Sequence, residues 1–170
     1  MTSRRPLFLA AALLALSSCS LQPVYGAGPH GLTAATLSQI QVAPIGEESG
    51  YLVRRALIER LGAENGSTPR YRLEVQLDDR IIGFGIRSDT SRSRERRTLR
   101  ARYQLVDLGT NAVLLDATAA SDEAIDVVQS EYAVVTAEKT ALERLSVSLA
   151  DQITLKLAMF ARTAPQPAAQ

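Results

Sequence analysis

The chain has one cysteine, Cys19, in 170 residues, and one histidine, His30. A single thiol excludes a disulfide framework and any zinc cluster built on paired cysteines. A single histidine without a spaced carboxylate or nucleophile leaves no triad or acid-base pair, and His30 reads as a solvated loop residue. Tryptophan is absent, and aromatic residues make up 5% of the chain. The near balance of 19 Lys+Arg against 18 Asp+Glu argues against a nucleic-acid binder. No phosphate-binding glycine loop, zinc spacing or nucleophile elbow occurs, so no catalytic or metal site is expected. Asp78 and Asp79 are adjacent carboxylates, but on a strand they point to opposite faces and cannot share a metal. Asp107 and Asp116 flank a turn and read as solvated.

Long apolar runs are also missing. The longest, from Leu7 to Leu16, falls short of the ~20 residues that span a bilayer. It follows Arg4 and Arg5 and runs into Leu16-Ser17-Ser18-Cys19. Basic start, short apolar core, small residues and cysteine, in that order, form a secretory signal ending in a bacterial lipobox. Residues 1–18 are therefore read as a signal peptide and Cys19 as the lipid attachment site, with the thiol as nucleophile. No cofactor is expected beyond that covalent lipid. More than one acyl chain gives stable anchoring. Ser20 stands where many inner-membrane lipoproteins carry Asp, which points to the outer membrane on its periplasmic side.

The remaining chain is of single-domain length, and 46% of the whole is hydrophobic. Residues 19–36, with Pro23, Gly26, Gly28, Pro29 and Gly31, read as a tether. Leu37 to Pro44 reads as a first strand. Gly46-Glu47-Glu48-Ser49 opens a helix whose Leu52, Val53, Ala56, Leu57 and Leu61 recur at helical spacing, ended by Gly62. Tyr71, Leu73, Val75 and Leu77 alternate with polar residues in a half-buried strand, continued by Ile81 to Ile86 with a bulge or bend at Gly83 and Gly85. Residues 87–94 read as a polar loop. Leu99 to Leu105 and Val113 to Ala119 form a hairpin around Leu108-Gly109-Thr110-Asn111, with a polar patch at 121–123 after it. Ser130 caps a long amphipathic helix over 131–162, and residues 163–170 read as a disordered tail. The order β-α-β-β-β-α implies an α+β two-layer sandwich over 37–162. Its four-stranded mixed sheet would have strands one and two parallel and both helices on one face.

Arginine is the abundant feature. Arg87, Arg92, Arg94, Arg96, Arg97, Arg100 and Arg102 lie close together, and Arg70 and Arg72 sit on the preceding strand. One reading is a solvated outer face. The sharper one is an anionic glycolipid contact made by Arg70, Arg72, Arg94, Arg97, Arg100 and Arg102, because guanidinium forks suit phosphate.

Cys19 followed by Leu21-Gln22-Pro23-Val24-Tyr25-Gly26, together with Ser130-Glu131-Tyr132-Ala133 and Leu149-Ala150-Asp151-Gln152-Ile153, resembles the lipopolysaccharide-assembly lipoprotein LptE family, alphaproteobacterial branch. Ser20 and Leu21 replace the Gly and Phe of the family's usual start. The resemblance implies a non-enzymatic subunit of the lipopolysaccharide translocon. It would plug and assist assembly of the LptD barrel, with that barrel, lipopolysaccharide and the outer membrane as partners. It maps no lipid-binding residue onto this chain. Two other classes stay open: an auxiliary lipoprotein of an ABC-type transport system, and a lipid-anchored hydrolase.

Overall fold

The computed structural model describes residues 32–63, 66–86 and 92–163. Cys19, His30, Arg87 and the tail from 164 lie outside them, as does most of the tether. The elements are α1 (Leu32–Ser38), β1 (Ile40–Val42), α2 (Glu47–Leu61), β2 (Tyr71–Ile86), β3 (Arg92–Asp107), β4 (Val113–Asp126) and α3 (Glu131–Thr163). The sheet order is β1-β2-β3-β4, with β1 parallel to β2 and the rest antiparallel. This is the expected mixed four-stranded α+β sandwich.

Period-two burial builds the sheet's inner face. Leu73, Val75, Leu99, Ala101, Tyr103 and Leu105 are buried, while the residues between them face outward. Onto that face pack Val53, Ala56, Leu57 and Leu61 of α2 and Leu142, Leu145, Leu149, Ile153 and Leu157 of α3, forming one core. Burying each aliphatic side chain contributes about 1.5–3 kcal/mol. Gly62 ends α2 in a left-handed conformation, φ 65°, donating its N–H to the Ile58 carbonyl at 3.0 Å. Gly50 lies where α2 folds back on the preceding loop. A Cβ there would stand 2.7 Å from Ile45 Cγ2 and 2.8 Å from its carbonyl carbon. Ser130 Oγ accepts from the Ala133 N–H at 3.4 Å and starts α3.

Four boundaries differ from expectation. Residues 32–38, read as tether and the start of strand one, form α1, whose Leu37 is buried in the core. β1 is therefore only three residues long. β3 begins at Arg92, inside the expected loop, and β4 runs on through 121–123 to Asp126. Polar side chains find partners there: Ser121 with Ser148 at 3.1 Å, Glu123 with Arg144 at 3.0 Å, and Asp122 facing Arg96 at 3.8 Å. β2–β3 pairing keeps one register through the glycines, so Gly85 with φ 77° is a bend and not a bulge.

Candidate functional site

Alternation places Arg72, Glu74, Gln76, Asp78 and Arg80 of β2 on the sheet's outer face. Arg94, Arg96, Arg100, Arg102 and Gln104 of β3 lie beside them, then Asp116, Asp122 and Asp126 of β4. Helices cover the other face, so this one is a broad and mostly polar plane, with Ile82 and Phe84 exposed on it toward the end of β2.

Its charges are mostly paired with one another. Arg72 holds Glu74 at 2.8 Å, Arg80 holds Asp78 at 2.9 Å and Arg94 holds Asp126 at 3.1 Å. Arg102 grips Asp116 through Nε at 3.2 Å and a terminal nitrogen at 2.9 Å, and Gln104 adds a third donor at 2.8 Å. Arg102 first and Gln104 second hold the Asp116 carboxyl below the usual carboxylate range. Glu74, Gln76, Arg102 and Gln104 line a polar hollow of about 200 Å³. Among the described residues Arg100 has no ion pair, and it faces outward between Asp78 and Ala120.

Two of the candidate arginines lie elsewhere. Arg70 precedes β2, stacks on the Tyr71 ring at 5.3 Å and sits 3.9 Å from Asp107. Arg97 shares the parity of Leu99 and turns under the helices. There it holds Asp79 with two bonds of 2.9 and 2.6 Å and donates to the Glu138 carbonyl of α3 at 2.9 Å. The Arg97 and Asp79 side chains are 13% and 16% exposed, so Arg97 is structural, not part of the outer plane. Asp78 and Asp79 point to opposite faces, as their adjacency requires. Asp107 is more engaged than a solvated turn residue: the Thr110 and Gly109 N–H groups and the Thr110 hydroxyl bind it and hold its carboxyl below the usual range. No group of three or more metal-ligating side chains forms among the described residues.

Beside Arg97 the Glu95 and Glu138 carboxyls approach each other under α3, and Glu95 Oε2 is buried without a hydrogen-bond partner among the described residues. Burial first, and the neighbouring Glu95 second, push the Glu138 carboxyl up. An acid raised on folding binds more protons in the native state. Its favourable contribution is full below the unfolded pKa of about 4.3 and is lost as pH rises through the folded value. Glu138→Gln should therefore melt higher than wild type at pH 7, with the advantage gone near pH 4. An equal difference at both pH values in calorimetry would contradict the assignment.

The LptE profile, described as lipopolysaccharide-assembly, matches residues 37–157, which include every strand and both long helices up to Leu157. No curated protein matches. Among solved structures, a protein from Caulobacter crescentus superposes with a TM-score of 0.68 at 21% identity, covering 79% of this chain and 100% of its own. A minor lipoprotein from Acinetobacter baumannii gives 0.58 at 15%, covering 72% and 92%. The rare lipoprotein B of Shewanella oneidensis gives 0.55 at 12%, covering 71% and 93%. At those identities the superpositions establish the fold, and the profile match establishes the family: the chain belongs to the LptE lipopolysaccharide-assembly family.

Proposed function

We propose that this protein is the lipid-anchored subunit of a lipopolysaccharide translocon, tethered through Cys19 to the periplasmic side of the outer membrane and seated inside an LptD-type barrel. The observation that carries the reading is the family match over residues 37–157. That family comprises non-enzymatic lipopolysaccharide-assembly lipoproteins of the outer membrane. The outer sheet face supports the finer step. It is mostly polar, and its ion pairs leave hydrogen-bonding capacity without a strong net field. Such a plane suits the hydrophilic interior of a large barrel. No described helix is long and apolar enough to cross a membrane.

Purification of the tagged, lipidated protein from outer membranes tests this. A large heat-modifiable β-barrel should come with it in near-equal amount. Recovery instead with an inner-membrane transporter would move the protein to the ABC-type alternative.

Lipopolysaccharide contact is proposed at the same plane, centred on Arg100 and Arg102. Arg100 has no carboxylate partner among the described residues, while Arg102 is shared with Asp116. A phosphate contact of this kind is salt-sensitive, because exposed charges are screened within ~8–10 Å at physiological salt. Arg100→Glu should weaken binding to lipopolysaccharide vesicles several-fold in low salt and much less in high salt. Binding that stays the same in both would leave the plane as a solvated surface.

A further inference from the structure

A hollow interrupts the outer plane, and strand pairing explains its place. The Tyr71 N–H donates to the Gln39 carbonyl at 3.2 Å, and the Ala43 N–H donates to the Leu73 carbonyl at 3.0 Å. The odd residues of β2 thus bond toward β1, and the even ones bond toward β3. Glu74 opposite Gln104 and Gln76 opposite Arg102 are therefore wide, hydrogen-bonded pairs, with Cα atoms about 5.5 Å apart. On the other side of β3, Gln104 opposite Asp116 is a narrow pair of about 4.5 Å. Arg102 and Gln104 both lean across that narrow gap onto Asp116, at 2.9 and 2.8 Å, while Arg72 holds Glu74. The floor between β2 and β3 is left open as the hollow of about 200 Å³ bounded by Glu74, Gln76, Arg102 and Gln104.

We infer that this hollow is a saccharide site, which takes one sugar ring of the glycolipid's carbohydrate through its uncharged hydroxyls. Resting on the glycolipid contact proposed above, the site extends it from phosphate to carbohydrate. The charges around the hollow cancel: Arg72 is paired with Glu74, and Arg102 with Asp116. An anion entering there faces two carboxylates whose cations are already engaged. It is better met at Arg100, one step along the same strand face and about 7 Å away. A hydroxyl suits the hollow because it both donates and accepts. It can give its proton to the Glu74 carboxylate or a glutamine carbonyl oxygen, and accept from the Arg102 guanidinium or a glutamine N–H. Among the described residues the exposed Gln76 amide has no hydrogen-bond partner, so both its donor and its acceptor face the hollow's opening to solvent. These groups lie in rows across a flat sheet, which matches the hydroxyls set around the rim of a sugar ring.

Saturation-transfer NMR on the full-length lipidated protein in nanodiscs, alone and with its copurified barrel, tests the site. The probe is the oligosaccharide released from lipopolysaccharide of the same bacterium by mild acid and then stripped of phosphate. Its ring protons should receive magnetisation from both preparations, to a similar extent in low and high salt, because no charge is used. Gln76→Leu should weaken the signal several-fold, and adding Gln104→Leu should remove what is left. Gln76 is exposed and holds no other described residue, so its variant should melt like wild type. Gln152→Leu, the same change at an exposed glutamine of α3, should leave the signal intact. Overturning results would be no transfer to the stripped sugar, an equal loss in Gln152→Leu, or a signal that disappears in high salt. A signal lost once the barrel is bound would also overturn it and give the hollow to the barrel wall. If the stripped sugar fails while intact lipopolysaccharide vesicles still bind through Arg100, the saccharide site falls and the glycolipid contact stands. If neither binds, both fall.

Discussion

Leu149→Asp should remove most of the stability of the domain. Leu149 is fully buried at the centre of α3 and packs in the core shared with α2 and the sheet. Losing an aliphatic burial costs about 1.5–3 kcal/mol, and a carboxylate placed there without a partner adds a comparable or larger penalty. A total of about 4 kcal/mol or more is a large share of the ~5–15 kcal/mol that holds a typical domain. At roughly 2–4 °C per kcal/mol for a chain of this size, the melting temperature should fall by about 10 °C or more. Val147, two residues earlier on the same helix, is 46% exposed, and Val147→Asp should shift the transition by no more than about 0.5 kcal/mol. Circular dichroism melts of the pair decide the matter. Similar curves for both variants would mean that the buried stripe of α3 does not hold the sandwich together.

That stripe is legible in the amino-acid order alone. Ala141, Leu145, Leu149, Ile153 and Leu157 repeat in steps of four over a stretch without glycine or proline. The two-layer layout follows from it and from the alternation in β2 and β3. Other features leave weaker traces. Residues 32–38 form too short a helix to show a period, and their Ala and Thr content next to a glycine-rich segment looks like tether. The local pattern of β4 stops at Ala119 because Ser121, Asp122 and Glu123 are all polar, so neither face is marked as buried. Their partners, Ser148, Arg96 and Arg144, come from other elements and leave no local signal. The inward turn of Arg97 does leave one: it lies two residues before Leu99, so the period that turns Arg100 outward turns Arg97 inward. A loop assigned to 87–94 masks that parity by placing the start of the strand too late. Charge pairing across strands depends on register, which the sequence leaves open, so the arginine cluster looks more basic than the plane it forms.

Asp79→Ala should be the most damaging substitution of a charged residue. The carboxylate and the Arg97 guanidinium share two hydrogen bonds and are 13–16% exposed, so their removal from water is nearly complete. Deleting one partner strands the other, at about 3–5 kcal/mol for a fully buried pair and toward the low end for this one. The loss should reach past the pair. Arg97 also holds the Glu138 carbonyl, so it ties the first turns of α3 to the β2–β3 arm beyond the apolar core. Amide exchange should therefore quicken first in the early turns of α3, before the core strands. Two comparisons separate this from a general effect of losing an acid. Asp78→Ala removes the adjacent carboxylate, whose partner Arg80 is 71% exposed, and should cost well under about 1 kcal/mol. Asp79→Leu with Arg97→Met replaces both charges by apolar groups of similar bulk and should recover most of the loss, because no charge is left uncompensated. If Asp79→Ala melts like Asp78→Ala, or if the double replacement is as unstable as the single one, the buried pair is not what secures the helix to the arm.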